Sequence, residues 1–157
     1  MKTARITRSR ASNPYLRRLA WADAGFFVTV TIGLNGLIFG LGWQDRGQNG
    51  VSGPPGWLVG AILVVLFALF GAAHGLMRGL RETAWVWQMR CFTLLCFAYP
   101  IYTGGLQSRG IGLIGCLLSL IWAIALTLLA WRKSRVTSLL MLPSVVWLCF
   151  ATKLLLS

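Results

Sequence analysis

Residues 136–156 read VTSLLMLPSVVWLCFATKLLL, an apolar run in which Lys153 is the one charged side chain. About 20 residues of α-helix span about 30 Å, the thickness of the hydrocarbon core of a bilayer. Lipid offers no hydrogen-bond partners to backbone N–H and C=O groups, so a run that crosses it has to be helical. This stretch therefore predicts a transmembrane helix.

Four further apolar runs of similar length precede this one. They cover residues 21–43, 57–77, 83–103 and 111–131. The chain has 157 residues, of which 57% are hydrophobic and 11% are charged, whereas soluble domains carry about 25% charged residues. We therefore expect an all-α membrane protein, a five-transmembrane-helix bundle that follows a basic tail over residues 1–20.

The basic residues are distributed unevenly around the predicted helices. Twelve of the 15 Lys and Arg residues lie in the tail or in links on the same side as the tail, and the net charge is +12. Because cytoplasmic segments carry the excess of Lys and Arg, we expect a multi-pass protein of the bacterial cytoplasmic membrane. Its N-terminus would be cytoplasmic and its C-terminus on the opposite side. The tail would contact anionic lipids, and no basic patch of the nucleic-acid-binding type is present.

Few side chains are suited to catalysis. The acidic residues Asp23, Asp45 and Glu82 are far apart in sequence and near helix ends, where we expect Asp23 to be solvated. No Ser/His/Asp or Cys/His set falls at one depth, so we expect no enzyme activity. His74 is the only histidine, and we favour a hydrogen-bonded packing role over a metal or haem ligand. Asn35 would either bond another helix or serve as a functional polar group.

Glycines recur at helical spacing in the first two runs. Gly71, Gly75 and Gly79 are four residues apart, and Gly36 and Gly40 repeat that spacing. Small residues on one face allow close approach of helices where lipid supplies no hydrophobic drive. The faces would pack inside one protomer or form a homodimer, and the spacing does not separate these alternatives.

A set of aromatic and small side chains falls in the last three runs. Pro143 bends the final run, because proline removes a backbone donor. Side chains near this bend share a face at helical spacing or lie in neighbouring runs. They are Tyr102, Trp122, Trp147, Phe150, Ala151 and Leu154. They would line an aromatic cavity for a flat apolar ligand or form an ordinary core.

Two stretches resemble a known family. The first holds Gly42-Trp43 and Pro54-Pro55-Gly56-Trp57, and the second holds Leu139-Leu140, Pro143, Trp147, Phe150-Ala151 and Leu154. Both are similar to motifs of the TspO/MBR family, the tryptophan-rich sensory and translocator proteins. Ser144 stands where the family has a tyrosine after the proline. The resemblance implies a TspO-like bundle of five helices, with a lid-like loop at residues 44–56.

The resemblance also implies non-enzymatic binding of an apolar ligand for sensing or transport. A tetrapyrrole, a carotenoid, or a ligand of sterol or isoprenoid type would be bound. The residues expected at the site are Trp43, Pro54, Pro55, Trp57, Tyr102, Trp122, Pro143, Trp147, Phe150 and Ala151. The alternative is a structural or assembly subunit of a larger membrane complex, photosynthetic or respiratory, docked through its helices and basic tail.

Overall fold

The computed structural model of the chain describes residues 14–42, 54–100 and 109–156. Regular secondary structure within these ranges is entirely α-helical. The helices are α1 (Pro14–Gly40), α2 (Gly56–Gly79), α3 (Thr83–Pro100), α4 (Arg109–Lys133) and α5 (Arg135–Leu156). Each coincides with one of the apolar runs, which confirms the prediction of an all-helical protein.

Four helices in the described ranges are long and apolar enough to cross a membrane. They are α1, α2, residues Gly110–Lys133 of α4, and α5. The described part of α3 has 18 residues and includes Trp87, Gln88 and Arg90, which lower its hydropathy. Length and composition therefore support four of the five membrane crossings expected from the sequence.

The first helix begins earlier than the sequence suggested. α1 starts at Pro14 rather than at Trp21, so residues 14–20 are helical and not part of the tail. Proline favours the first position of a helix because its fixed φ is helical and its missing N–H has no partner to lose. Leu16 in this added segment is buried and packs on α2 at Gly79. Burial of Leu16 explains why the helix extends into a basic stretch.

The helices α1 and α2 meet backbone to backbone. A Cβ atom at Gly71 would overlap the backbone of Asp23 and Ala24, and one at Gly75 would overlap the backbone of Leu19. The two glycines, with Gly79, therefore serve packing within the chain. By contrast, a Cβ atom at Gly33, Gly36 or Gly40 would meet nothing within 4 Å.

The helices α4 and α5 form a second close pair. Ser134 separates them, its N–H donates to the carbonyl of Ala130 at 2.7 Å, and its Oγ accepts the N–H of Thr137 at 3.3 Å. One turn along α5, the hydroxyl of Ser138 donates to the carbonyl of Thr127 on α4 at 2.9 Å. A cap and an interhelical bond thus fix the α4–α5 hairpin.

The helix α3 packs between these two pairs. A left-handed turn at Arg81, with φ of 60°, reverses the chain between α2 and α3. Trp85 Nε1 donates to the carbonyl of Leu126 on α4 at 3.2 Å. Met89 and Phe92 of α3 are fully buried in the main hydrophobic cluster. The helix is therefore part of the core despite its lower hydropathy.

Candidate ligand-binding cavity

A cavity of about 280 Å³ lies between α2, α3, α4 and α5. The lining residues come from these four helices and from Pro54. They are Pro54, Val59, Leu63, Leu66, Phe67, Phe70, Cys96, Tyr99, Cys116, Ser119, Ser144, Trp147, Leu148, Ala151, Leu154 and Leu155. None of these side chains is charged, and most are apolar. The volume lies just below the range that is usual for ligand pockets, about 300–1,000 Å³.

Aromatic rings form one wall of the cavity. Phe67 stacks on Phe97 with ring centroids 4.4 Å apart and an interplanar angle of 11°. Phe67 and Phe70 meet edge to face at 5.3 Å, and Phe70 meets Phe92 in the same way. Such paired rings hold one another in place, so the wall facing α5 is rigid and apolar.

Five lining side chains carry a hydroxyl or a thiol. Side-chain hydrogen bonds join Cys96 to Ser119 and Tyr99 to Cys116. The fifth is Ser144, whose Oγ is buried and has no hydrogen-bond partner among the described residues. Among the described lining residues, Ser144 thus carries the one buried hydroxyl that lacks a hydrogen-bond partner.

Three of the residues expected at the site line this cavity. Pro54 lies just before α2, and Trp147 and Ala151 lie four residues apart on α5. Leu154, which the sequence placed on the same face, also lines it. Of the four residues that helical spacing grouped on one face of α5, these three α5 residues line the cavity and Phe150 does not.

Other expected residues lie elsewhere. Trp57 is 67% exposed and Phe150 is 45% exposed, and neither lines the cavity. Pro143 is exposed on α5. Trp122 packs on Phe92, with ring centroids 6.3 Å apart.

Pro55 has a local structural role, because its carbonyl accepts the N–H of Leu58 at 2.9 Å at the start of α2. Trp43 and Tyr102 lie outside the described residues, as does most of the loop at residues 44–56.

The sequence analysis missed the α2 side of the cavity and Ser144. Phe67 and Phe70 were not among the residues expected at the site, and their place in the lining follows from the way α2 faces α5 in the structure. Ser144 was detectable, because it precedes Trp147 by three residues and therefore shares its helix face.

The profile of the TspO/MBR family matches residues 26–157. The chain belongs to the TspO/MBR family. None of the curated proteins matches it. The resemblance drawn from the proline and tryptophan motifs is thus confirmed over most of the chain.

Family membership and the apolar helices together identify this TspO/MBR protein as an integral membrane protein. Membership also indicates a membrane protein of the sensory or transport kind. Within the described ranges, no group of three or more His, Cys, Asp or Glu residues could hold a metal ion.

A cluster of polar and charged side chains with a buried centre, Asp23 and His74, joins α1, α2 and α3 in this TspO/MBR protein. His74 Nδ1 lies 2.7 Å from Asp23 Oδ2, and Arg78 Nη2 lies 2.8 Å from Asp23 Oδ1. Asp23 is 8% exposed and His74 is 5% exposed. The expectation that Asp23 is solvated was therefore wrong, because the close approach of α1 at Gly71 and Gly75 encloses its carboxylate.

The geometry assigns the proton on His74. Arg90 Nε donates to His74 Nε2 at 3.3 Å, and an arginine can only donate. The lone pair is therefore on Nε2, and the Nδ1–H donates to Asp23. His74 is hydrogen-bonded on both nitrogens, which agrees with the expected packing role.

Asn35 also bonds a neighbouring helix. Its Nδ2 donates to the carbonyl of Gly60 at 3.2 Å. Of the two roles considered for Asn35, this contact favours the interhelical bond.

Proposed function

We propose that this protein binds an apolar ligand in the cavity between α2, α3, α4 and α5, for sensing or transport. The observation that carries the proposal is a largely apolar, uncharged cavity of about 280 Å³ inside the helical bundle of a TspO/MBR protein. Bound molecules gain roughly 25 cal/mol for each Å² of apolar surface removed from water. Ligands of isoprenoid, carotenoid, sterol or tetrapyrrole type are the candidates.

The shape of the cavity favours ligands with a flat or slender apolar part. Phe67, held in place by its stacking on Phe97, lines one wall, and Trp147 lines the side formed by α5. Rings in such positions offer offset-stacked or edge-to-face contacts worth about 0.5–1.5 kcal/mol each. A tetrapyrrole would place its carboxylates outside, because no lining side chain is charged.

The proposal is tested by filling the cavity. The protein in nanodiscs is titrated with protoporphyrin and with all-trans-retinol, and quenching of tryptophan fluorescence is followed. Ala151→Trp places an indole in the cavity, whereas Ala125→Trp adds one at an exposed position on α4. We expect quenching to saturate in the wild type and in Ala125→Trp and to be lost in Ala151→Trp. Unsaturable quenching that is equal in all three proteins would contradict the proposal.

We also propose that α3 is the fifth crossing and that the N-terminus is cytoplasmic. At one end α3 meets α2, where Arg90 bonds His74, and near its other end Cys96 and Tyr99 line the cavity. Described cationic residues cluster at the first end. They are Arg17, Arg18, Arg78, Arg81, Arg90, Arg132, Lys133 and Arg135. This distribution supports placing that end in the cytoplasm.

A second candidate function is that of a subunit in a homodimer or a larger membrane complex. The open face of α1 at Gly33, Gly36 and Gly40 favours it, because small residues in membrane helices commonly mark helix–helix contacts. In mild detergent, Gly36→Leu with Gly40→Leu should then reduce the size of the assembly. Equal sizes for the variant and the wild type would count against this candidate.

A further inference from the structure

Ser144 differs from every other buried hydroxyl in the described ranges. Four buried threonines donate to the carbonyl four residues earlier in their own helix, and three other hydroxyls bond neighbouring side chains or helices. The threonines are Thr31, Thr93, Thr127 and Thr152, and the others are Ser119, Thr137 and Ser138. Ser144 is 2% exposed, and among the described residues its Oγ alone is buried without a partner.

This orphan hydroxyl lies at the cavity and not in the close-packed core. Buried polar groups in native proteins are almost always hydrogen-bonded, so an exception calls for an explanation. A helical serine can bond the carbonyl four residues before it, which would be that of Leu140, but Ser144 makes no such bond. The other hydroxyls and thiols that line the cavity are already paired with one another.

We infer that Ser144 is the polar anchor of the cavity, which takes an apolar ligand carrying one uncharged hydroxyl or carbonyl oxygen. The inference rests on the proposed function and adds the class of ligand and the residue that selects it. A serine hydroxyl both donates and accepts, so it binds either oxygen type. A charged head group inside the cavity is disfavoured, because no lining side chain carries a compensating charge.

The test uses two probes that differ only at the oxygen. One is all-trans-retinol, and the other is the hydrocarbon in which hydrogen replaces its hydroxyl, so that both carry the same chromophore. Binding is measured by energy transfer from tryptophan in the full chain, in phosphatidylcholine nanodiscs. Empty nanodiscs correct for partition of each probe into lipid, and Trp147→Phe identifies transfer that originates at the cavity.

The matched variants are Ser144→Ala and Ser138→Ala. Ser138 is on the same helix and is 1% exposed, but its hydroxyl is bonded to Thr127 and does not line the cavity. We expect the wild type and Ser138→Ala to bind retinol about five- to tenfold more tightly than the hydrocarbon, the worth of one hydrogen bond. Ser144→Ala should bind the two probes equally, with unchanged affinity for the hydrocarbon.

The outcomes separate this inference from the proposed function. If the wild type binds both probes equally, or if Ser144→Ala keeps the preference for retinol, the anchor role is wrong while ligand binding in the cavity stands. If the wild type binds neither probe above empty nanodiscs, both are contradicted.

Discussion

His74 Nδ1 lies 2.7 Å from Asp23 Oδ2, and this contact ties α1 to α2 at a point where both side chains are withdrawn from solvent. Arg78 holds the other carboxylate oxygen of Asp23, and Arg90 reaches His74 from α3. Three helices thus share one polar cluster, in which Asp23 and His74 are buried and the two arginines are exposed.

Asp23→Ala should destabilise the protein. The change leaves the buried Nδ1–H of His74 without its acceptor, which costs about 1–3 kcal/mol. Arg78 is partly exposed, so water compensates much of the loss of its ion pair and we expect little further cost from it. Unfolding in mixed detergent measures the effect. Lys133→Ala is the control, because its ion pair with Glu82 is largely exposed and is worth at most about 1 kcal/mol. Similar losses in the two variants would contradict the assigned role of Asp23.

Gly75→Ala should loosen α1 from α2. Its Cβ atom would overlap the backbone of Leu19, which cannot move as a flexible side chain can, so we expect a loss of about 1–3 kcal/mol. Gly36→Ala makes the same chemical change where a Cβ atom meets nothing within 4 Å. The thermal unfolding midpoints of the two variants are compared with that of the wild type, and we expect the larger fall for Gly75→Ala. A larger fall for Gly36→Ala than for Gly75→Ala would show that the glycine face of α1 is the one in contact.

Ser144→Ala should stabilise the ligand-free protein. The substitution removes a buried hydroxyl that has no partner among the described residues, whose desolvation costs about 1–3 kcal/mol. Ser138→Ala should do the opposite, with a loss of about 1 kcal/mol, because its hydroxyl bonds Thr127. The free energy of unfolding, measured without added ligand, tests both expectations. A loss in Ser144→Ala as large as that in Ser138→Ala would indicate that the Ser144 hydroxyl is already satisfied.

Site-directed labelling should place the two ends of the chain on opposite sides of the membrane. In a variant without native cysteines, cysteine at Lys2 is expected to react only from the cytoplasmic side and cysteine at Ser157 only from the other. If α3 did not cross, the other four helices would bring both ends to one side. Cysteine at Ser134, in the α4–α5 link, should react from the same side as Lys2.

Much of the fold follows from patterns along the chain. The length and composition of the apolar runs predicted each helix of the described ranges, and the Gly71 and Gly75 spacing pointed to close helix contact. The start of α1 at Pro14 was missed because Arg17 and Arg18 make the segment look like a tail. Its helix is stabilised by contact of Leu16 with α2, which depends on tertiary structure.

The candidate site was less accessible to sequence reasoning. Trp147 and Ala151, which helical spacing places together, line the cavity, whereas Trp57 and Phe150, chosen for their aromatic rings, do not. A bulky ring in a membrane protein can face lipid at no cost, so its presence does not identify a pocket. From the sequence, Ser144 is only a departure from the family motif. The structure adds that its hydroxyl has no hydrogen-bond partner among the described residues, whereas the other lining hydroxyls and thiols are bonded to one another.

The cavity lies between two firmly joined helix pairs and not within either of them. The pair α1–α2 is locked at Gly71 and Gly75, and the pair α4–α5 is locked at Ser138. Separating α1 from α2 would break close backbone contacts, and separating α4 from α5 would break the hydrogen bond of Ser138 to Thr127. Movement of one pair relative to the other would instead disturb the packing of α3 and of α2 on α5 around the cavity. We therefore expect a ligand wider than the cavity to enter between the two helix pairs, with each pair moving as a rigid body.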